Sequence, residues 1–356
     1  MRFTPIPLDG AVALVTGGAR GIGFAIAELL AQQGATVVVA DLYQPDAIEA
    51  ATRIGHGALG LGLDVGDDDA YAAVVEAVEL AVGPIDIVVN NAGIMPVGRV
   101  LEERYGVARA TMEANFWSHY HSYRILAPRM IARGRGHFIN VTSAGGAIHS
   151  PGLATYVASK HAATGFARGV REELVGTGVT VSVVMPSAVQ TELVSGIPFK
   201  RWERRGIVTP ESVAQRAVGT LRRRPAVVGA PRGTVAAVRA YHIVPEWLWL
   251  LGRRIVGADR TVQPYDKTAR KAYDTRIEVQ VRDDEVPVPD EALEHDYQTQ
   301  VSDEGERVAD AVAKFGGVHV LCNIAGGFRM GEAVHETSDA TWNFLFDINA
   351  RTLLHA

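Results

Sequence analysis

Residues 16–23 have the sequence TGGARGIG, and this glycine-rich stretch decides the fold that the sequence predicts. An apolar, β-branched run at residues 11–16 precedes it, and a helical pattern at residues 22–33 follows it. Glycines at a strand-to-helix turn permit a tight bend, let the backbone approach a pyrophosphate and leave the helix N-terminus open to anionic oxygens. The stretch therefore predicts a dinucleotide-binding turn, although a glycine cluster alone is weak evidence because any tight turn needs one.

Apolar runs and helical patterns alternate through the first two-thirds of the chain. Further strands are predicted at residues 36–40, 85–90, 137–142, 179–185 and 226–229, and helices at residues 68–82, 107–132, 156–177, 209–224 and 234–243. The strands are continuously apolar, as parallel strands are when helices cover both faces of the sheet. The sequence therefore predicts an α/β fold with a doubly wound parallel sheet of the Rossmann type, whose ligand crevice lies at the carboxyl ends of the strands.

The composition narrows the classes of function. The chain has 356 residues, 47% of them hydrophobic, so it can bury a sizeable core. Its net charge of -5 gives no electrostatic reason to expect a nucleic-acid partner. The single cysteine, Cys322, excludes an intrachain disulfide and suits a reducing compartment. No secretory signal is visible at the N-terminus, and we expect a cytoplasmic protein.

The most hydrophobic late segment, residues 241–256, is too short to span a bilayer and contains proline and charged residues. We therefore expect no transmembrane segment. A position on a membrane surface stays open for this segment, but we prefer a helix that covers a substrate pocket. Its tryptophans Trp247 and Trp249, together with Phe199 and Trp202, favour a hydrophobic substrate.

An acidic residue, Asp41, ends the second predicted strand. A carboxylate at this position accepts hydrogen bonds from both ribose hydroxyls and repels a 2′-phosphate, which favours NAD over NADP. Arg20 argues for the other cofactor, because a cation near the turn can hold a phosphate. Leu42 follows Asp41 and brings no basic residue, so we expect NAD and keep NADP as the alternative.

Residues 156–160 have the sequence YVASK, which places a tyrosine and a lysine one helical turn apart on the same face of a predicted helix. A phenol has a pKa of about 10 and is a poor base at neutral pH. A neighbouring ammonium favours the phenolate and so suits Tyr156 to acid–base catalysis. Ser143 ends a predicted strand in the same crevice, where its hydroxyl can hydrogen-bond a substrate carbonyl or alkoxide. Without other motifs, a tyrosine and a lysine at this spacing usually lie together on the protein surface by chance. A serine in such a position is then usually a turn residue.

The order and spacing of several motifs together resemble the short-chain dehydrogenase/reductase family, in its common form. The motifs are TGGARGIG at residues 16–23, NNAG at residues 90–93, Asn115, Ser143 and YVASK at residues 156–160. The resemblance covers roughly residues 8–275. It implies an oxidoreductase that moves a hydride between a nicotinamide dinucleotide and an alcohol or ketone.

The resemblance implies a role for each matching polar residue. Tyr156 is expected to be the general acid and base. Lys160 is expected to hold the nicotinamide ribose and to lower the pKa of Tyr156, and Ser143 to orient the substrate oxygen. Asn115 is expected to stabilise a break in its helix and to anchor a water that passes protons to Lys160.

The resemblance also implies which residues bind the cofactor. Asp64, followed by Val65 at the end of the third strand, matches the position that binds adenine. Asn90, Ala92 and Gly93 match the adenosine side of the site.

Residues 186–191, PSAVQT, match the segment that holds the nicotinamide amide, with Thr191 as the hydroxyl contact and Ser187 in place of the usual glycine. The full set of expected cofactor residues is Gly17, Arg20, Gly21, Ile22, Gly23, Asp41, Asp64, Val65, Asn90, Ala92, Gly93, Tyr156, Lys160, Pro186, Val189 and Thr191.

The sequence changes character near residue 280. Residues 276–300 are acidic and contain prolines, which predicts a solvated linker between a catalytic domain at residues 1–275 and a last segment, residues 301–356. The last segment partly repeats the first domain, since VLCNIAG at residues 320–326 echoes VVNNAG at residues 88–93. It has no counterpart of the glycine-rich stretch or of the serine, tyrosine and lysine, so we predict no catalytic activity there.

We therefore expect an oxidoreductase that transfers a hydride between NAD and a hydrophobic secondary alcohol or ketone, such as a steroid, a retinoid-like alcohol or a long-chain alcohol. The alternative is a non-catalytic dinucleotide-binding sensor or scaffold. A sugar-nucleotide epimerase usually needs a longer substrate domain. The histidines are scattered, so no metal site is expected. The resemblance also implies a homodimer or homotetramer that pairs through the helices holding Asn115 and Tyr156.

Overall fold

Strand β1 (Val12–Thr16), which leads into the glycine-rich turn, is buried at every position. The other strands are β2 (Thr36–Asp41), β3 (Leu59–Gly62), β4 (Ile85–Asn90), β5 (Gly136–Val141), β6 (Val179–Pro186) and β7 (Val227–Ala230). The computed structural model describes residues 5–199, 207–245, 247–249, 251 and 266–281, and within them these strands form a parallel sheet in the order β3-β2-β1-β4-β5-β6-β7. The predicted doubly wound parallel sheet is confirmed.

Helices alternate with the strands along the described chain. They are α1 (Gly21–Gln32), α2 (Gln44–Ile54), α3 (Asp68–Ala81), α4 (Tyr105–Met112), α5 (Ser118–Ala132), α6 (Ala154–Glu173), α7 (Pro210–Val218), α8 (Thr220–Arg223), α9 (Thr234–Tyr241) and α10 (Lys267–Gln280). Helices α1 and α7 bury Ile26 and Val213 in one apolar cluster with Val39 and Ile139 of the sheet. The strand order reverses between β1 and β4, which places a ligand crevice at their carboxyl ends.

The apolar pattern did not predict α2 or the bounds of β3. Strand β3 has the sequence LGLG, and two glycines in four residues leave little apolar signal. The glycines have a packing reason, because a Cβ at Gly60 would lie 2.4 Å from the backbone of Ala47 in α2. Helix α2 buries three alanines and Ile54, and this small apolar face suits its close approach to β3.

The helix predicted at residues 107–132 is interrupted. Helix α4 passes into a π-helical segment, Glu113–Trp117, before α5 begins. A π-helical turn widens the helix by one residue and is often found at functional sites. Asn115 lies in the middle of this segment, in agreement with the helix break expected there.

Helix α10 continues to Gln280, past residue 275, at which the sequence analysis placed the end of the first domain. Tyr273 and Ile277 of this helix are both buried with Ile94 and Val107, so the helix belongs to the core. The sequence pattern missed α10 because its buried face also contains an arginine. The rest of the predicted linker and the predicted repeat at residues 301–356 lie outside the described residues.

Much of residues 241–256, the segment that was predicted to cover the pocket, lies outside the described residues. Helix α9 ends at Tyr241, close to the predicted end at residue 243. Among the helices of the described chain, none combines the length and the apolar composition needed to cross a bilayer.

The close approach of α2 to β3 gives a test of the fold. We predict that Gly60→Ala lowers the free energy of unfolding by about 1–3 kcal/mol, because the added methyl group must displace the backbone of α2. Gly233→Ala is the matched control. A Cβ at Gly233 meets nothing within 4 Å and its φ is -73°, so this change should stabilise by about 0.4–1 kcal/mol. Urea denaturation measures both variants, and equal stability of Gly60→Ala and wild type would contradict the packing.

Candidate active site

A cavity of about 950 Å³ lies at the carboxyl ends of the central strands, beside the point where the strand order reverses. Ligand pockets have volumes of roughly 300–1,000 Å³, so this one is large. Its wall contains the glycine-rich turn after β1 and the segments that follow the other strands, which are residues 41–43, 63–65, 91–95, 141–145 and 186–194. Helices α6 and α10 also contribute to the wall.

Most of the predicted site residues line this cavity. They are Gly17, Arg20, Gly21, Ile22, Asp41, Asp64, Val65, Ala92, Gly93, Ser143, Tyr156, Lys160, Pro186, Val189 and Thr191. Gly23, Asn90 and Asn115 are not part of its wall, and each has a different structural role.

The glycine-rich turn has the geometry of a cradle for anionic oxygens. Gly17 and Gly21 have φ values of 60° and 55°, which favour glycine. A Cβ at Gly17 would lie 2.8 Å from Cα of Ala92, and one at Gly23 would lie 2.2 Å from the carbonyl oxygen of Gly17. The turn therefore packs tightly on α1 and on the segment after β4, and these residues fit the pyrophosphate of a dinucleotide.

Asp41 lies beside this turn at the end of β2. Its carboxylate accepts hydrogen bonds from the backbone N–H groups of Ala19 and Leu42, both at 3.0 Å. Burial raises the pKa of Asp41, while the hydrogen bond from Ala19 and the charge of Arg20 oppose this shift. The carboxylate is thus fixed at the edge of the cavity, where a ribose can meet it.

Arg20, the residue that favoured NADP in the sequence analysis, lies beside two carboxylates. It forms an ion pair with Asp46 of α2, and its guanidinium lies 3.8 Å from the carboxylate of Glu192. Two acidic neighbours reduce the positive potential that Arg20 offers to a phosphate.

Asn90, which was predicted to bind the cofactor, has its side chain in the core and not in the cavity wall. Its side-chain amide is buried and donates hydrogen bonds to Ser122 Oγ at 2.8 Å and to Asn140 Oδ1 at 3.0 Å, inside the core. The neighbouring Asn91 lines the cavity and donates to the carbonyl oxygens of Thr16 and Gly17, at 3.0 and 2.9 Å. Successive residues of a strand point to opposite sides, so only one of these two asparagines can hold the glycine-rich turn.

Two residues after β3, which the family resemblance assigns to adenine binding, also lie at the cavity. Asp64 and Val65 both line the wall, and Asp64 accepts a hydrogen bond from the N–H of Gly66 at 3.0 Å. Asp64 is thereby oriented by its own turn.

Ser143 and Tyr156 meet in the cavity. Ser143 follows β5 and caps a short 3₁₀ turn (Ala144–Gly146), with its Oγ accepting a hydrogen bond from the N–H of Gly145 at 3.0 Å. The Tyr156 ring of α6 lies beside it, since a Cβ at Gly145 would be 3.3 Å from Ser143 Oγ and 3.5 Å from Cε1 of Tyr156. Two hydroxyl groups can therefore reach the same substrate oxygen.

Lys160 lies one turn further along α6 and is buried. Its Nζ donates to the carbonyl oxygen of Val141, at 3.4 Å, and lies 5.9 Å from the centre of the Tyr156 ring. Burial lowers the pKa of Lys160 to about 8, because the ammonium loses its hydration.

Burial has the largest effect on the pKa of Tyr156 in this site. Burial raises the pKa of Tyr156, and the hydrogen bond with Ser143 opposes that shift. Burial penalises the charged forms of both side chains, so the protein without ligands favours a neutral phenol.

Asn115 acts behind the cavity wall. Its Oδ1 accepts from the N–H of Ile94 at 2.8 Å, and its Nδ2 donates to the carbonyl of Ile94 and to Ser159 Oγ, both at 2.9 Å. A Cβ at Gly93 would lie 2.5 Å from Asn115 Oδ1 and 3.2 Å from Lys160 Nζ. Asn115 and Lys160 therefore both lie beside Gly93.

The segment after β6 closes one side of the cavity. Pro186 ends the strand, Val189 forms an isolated bridge with Val208, and Thr191 donates its N–H to the carbonyl of Val189 at 2.8 Å. A Cβ at Gly21 would lie 3.2 Å from the methyl group of Thr191, so this segment lies against the glycine-rich turn.

One end of the cavity is apolar, and the sequence analysis predicted only one of the residues that line this end. Phe199 lines this end, as predicted. The other apolar residues there are Met95, Ile148, Leu153, Val157, Leu193, Val194, Ile197, Tyr273 and Ile277. Most of them lie in loops or in α10, which gave no motif that the sequence analysis recognised.

Of the tryptophans predicted to favour a hydrophobic substrate, the two that the structure describes, Trp247 and Trp249, do not line the cavity. Trp247 is 67% exposed, and Trp249 packs edge-on against Tyr241, with ring centres 4.6 Å apart. Tyr241 is hydrogen-bonded to His149, which does line the cavity. Trp202 lies outside the described residues. Among the residues with described positions, no group of three histidine, cysteine or acidic side chains could hold a metal ion.

Comparison with known proteins identifies the family. A model of the family described as short chain dehydrogenase matches residues 11–201. The chain is also 32% identical over 248 residues to a 3-oxoacyl-(acyl-carrier-protein) reductase FabG of Vibrio cholerae, a match that covers 70% of this chain and 96% of that protein. The chain belongs to the short chain dehydrogenase family.

Further relatives of this short chain dehydrogenase carry different names. A 1-deoxy-11-beta-hydroxypentalenate dehydrogenase of Streptomyces avermitilis is 37% identical over 200 residues, which cover 54% of this chain and 74% of that protein. A ketoacyl reductase HetN of a Nostoc species is 33% identical over 221 residues, which cover 61% and 77%. The family resemblance and the oxidoreductase class are thus confirmed.

The burial of Lys160 in this short chain dehydrogenase gives a test by pH. The folded protein holds Lys160 with a pKa of about 8, below the ordinary lysine value of 10.5, so it binds this proton less tightly than the unfolded chain. The buried ammonium therefore costs stability below pH 8, and the cost disappears as the pH rises toward 10.5.

We predict that Lys160→Met is more stable than wild type at pH 7 and that this advantage shrinks by pH 10. Urea denaturation at both values measures the difference in the free energy of unfolding. A difference that does not change with pH would contradict a buried, titrating Lys160.

Proposed function

We propose that this short chain dehydrogenase interconverts a hydrophobic secondary alcohol and its ketone, with NAD as the cofactor and Tyr156 as the general acid and base. The observation that carries the proposal is the meeting of Ser143, Tyr156 and Lys160 in one cavity beside the glycine-rich turn. Helix α6 supplies the tyrosine and the lysine, and the end of β5 supplies the serine.

Each residue has a defined task in the proposed reaction. Bound NAD supplies the hydride acceptor in oxidation, and its reduced form supplies the hydride in reduction. In oxidation the Tyr156 phenolate takes the proton of the alcohol and becomes the phenol, and in reduction the Tyr156 hydroxyl gives its proton to the ketone oxygen. Ser143 hydrogen-bonds the same oxygen and stabilises the charge that develops on it. Lys160, with a pKa of about 8, is charged at neutral pH and stabilises a phenolate near it.

The choice of NAD over NADP is supported by the charges beside the glycine-rich turn, at Asp41 and at Arg20. Asp41 presents a fixed carboxylate where a 2′-phosphate would suffer charge repulsion. Arg20, the cation that could hold such a phosphate, is paired with Asp46 and lies near Glu192. NADP remains the alternative that the experiment below separates.

The choice of a hydrophobic substrate is supported by the cavity wall. Met95, Leu153 and Val157 surround the approach to Tyr156, and Leu193 and Ile197 pack beside them. The names of the relatives point to compatible chemistry, because they describe an oxoacyl reductase and a dehydrogenase of a hydroxylated compound.

We also propose that the protein forms a homodimer or homotetramer through the helices that hold Asn115 and Tyr156, and that it works in the cytoplasm. The family resemblance supports the assembly, and the single Cys322 suits a reducing compartment.

Steady-state turnover tests the proposed function. We predict activity with NAD on a panel of apolar secondary alcohols and weaker activity on small polar sugars. Tyr156→Phe should lower kcat by about 10²–10⁴-fold, because the variant lacks the hydroxyl that transfers the proton.

Tyr105→Phe is the matched control for this experiment, since Tyr105 is not part of the cavity wall. NAD binding without turnover, unchanged by Tyr156→Phe, would favour the non-catalytic sensor or scaffold instead. A preference for small polar sugars would refute the hydrophobic substrate.

Cofactor preference tests the assignment of Asp41. We predict that Asp41→Asn lowers the ratio of kcat/KM with NAD to kcat/KM with NADP by about 10-fold or more, because the variant removes the charge that repels the 2′-phosphate. Asp68→Asn is the matched control, since it removes an exposed carboxylate outside the cavity wall. A wild-type preference for NADP, or a ratio that Asp41→Asn leaves unchanged, would contradict the assignment.

A further inference from the structure

Arg270 of α10 is fully buried although it carries a guanidinium. Arginine is almost never fully buried unless it is paired, and here several partners surround it. Its Nη1 donates to the carbonyl oxygen of Leu193 at 2.8 Å, its Nη2 donates to the carbonyl oxygen of Met95, and its Nε donates to Asp274 at 2.9 Å. One side chain therefore joins α10 to two segments of the cavity wall.

The first of these segments contains Ile94 and Met95, whose peptide groups are held on both sides. Asn115 binds the N–H and the carbonyl of Ile94. The Tyr273 hydroxyl accepts from the N–H of Met95 at 2.9 Å, and Arg270 donates to its carbonyl. Asn115 therefore fixes the backbone of Ile94, and helix α10 fixes the backbone of the next residue, Met95.

The position of Met95 matters because its side chain packs against Tyr156. Met95, Tyr156 and Val157 form one buried apolar cluster. A shift of the Met95 backbone would therefore move a surface against which the Tyr156 ring is packed.

The second segment is the turn that follows Thr191. Arg270 Nη1 reaches the carbonyl oxygens of Leu193, at 2.8 Å, and Ser195, at 3.5 Å. The start of α10 docks on the next residue, since the N–H of Asp266 donates to the carbonyl of Gly196 at 3.0 Å. The backbone of this turn depends on α10 over several residues.

We propose that Arg270 is a positioning residue for the nicotinamide end of the cavity. It acts through Met95 on the packing of Tyr156, and through Leu193 on the segment that contains Thr191. The adenosine end, around Asp41, has no contact with it. This inference rests on the proposed function, because it takes the segment around Thr191 to hold the nicotinamide.

Lysine cannot replace Arg270 in this role. The guanidinium directs its donors along fixed, divergent directions to Met95, Leu193 and Asp274, whereas an ammonium is a compact point charge on a flexible stem. Arg270→Lys therefore keeps the charge and removes most of the geometry.

Binding of NAD and of AMP, measured by calorimetry, separates the two ends of the cavity without any turnover. We predict that Arg270→Lys weakens NAD binding by about 10-fold and leaves AMP binding within about twofold, since AMP carries only the adenosine half. The kcat of alcohol oxidation should fall by roughly 10- to 100-fold, because a small displacement of a positioned group has a large effect on rate.

Arg224→Lys is the matched control. Arg224 is also buried, and it donates to the carbonyl of Gly178, which precedes β6 at the opposite edge of the sheet from the cavity. Its variant should lose thermal stability and keep both affinities and kcat. Tyr273→Phe is a second, milder variant, which deletes only the hydroxyl that binds Met95 and should shift NAD binding in the same direction as Arg270→Lys by less.

The outcomes are distinct. Loss of NAD affinity at constant AMP affinity, in Arg270→Lys but not in Arg224→Lys, supports the positioning role. Equal weakening of NAD and AMP, or no change in either, overturns it, and Tyr273→Phe decides the matter if Arg270→Lys does not fold. A wild-type protein that binds NAD without turnover would count against the proposed function alone, because the comparison of NAD with AMP does not use activity.

Discussion

The space left by Gly93 is the constraint on which the candidate active site depends. A Cβ there would lie 2.5 Å from Asn115 Oδ1 and 3.2 Å from Lys160 Nζ, so only glycine leaves room for both side chains beside the carboxyl end of β4. From that point Asn115 holds the backbone of Ile94, and Lys160 reaches the end of β5 through Val141. The glycine thus connects the π-helical segment, α6 and two central strands in one site.

The protein alone does not supply all of the electrostatic stabilisation that a Tyr156 phenolate needs. Burial raises the pKa of Tyr156 and lowers that of Lys160, so both side chains are held toward their neutral forms. A positive charge brought into the cavity would favour the phenolate, and the oxidised nicotinamide ring carries such a charge. In this account the protein provides a buried phenol beside Ser143. The positive charge of a bound oxidised cofactor would then lower the pKa of this phenol.

Much of the fold and of the polar site was predictable from sequence, because both have local signals. Continuous apolar runs located six of the strands in the described sheet, and the spacing of Tyr156 and Lys160 placed them on one face of α6. Strand β3 was weaker because it is short and half glycine, and its partner α2 buries mainly alanine. Helix α10 was missed because Arg270, a charged residue, occupies its buried face.

Two features of the site could not be predicted from the sequence because they depend on the tertiary structure. The sequence NN at residues 90–91 does not say which amide faces the glycine-rich turn, since the strand assigns its sides only once the sheet has formed. The tryptophans suggested a substrate wall, but the apolar wall is built from loops and from α10, whose residues come together only in the folded chain.

The most direct test of the central claim is a spectroscopic titration of the Tyr156 phenol in the presence of NAD, obtained as the ultraviolet difference between the protein and its Tyr156→Phe variant. The account predicts that the phenolate forms at a lower pH with NAD bound than without it, and that Lys160→Met moves its pKa upward in the complex. An identical Tyr156 titration with and without NAD, unaffected by Lys160→Met, would contradict the claim that Tyr156 and Lys160 act together beside a bound dinucleotide.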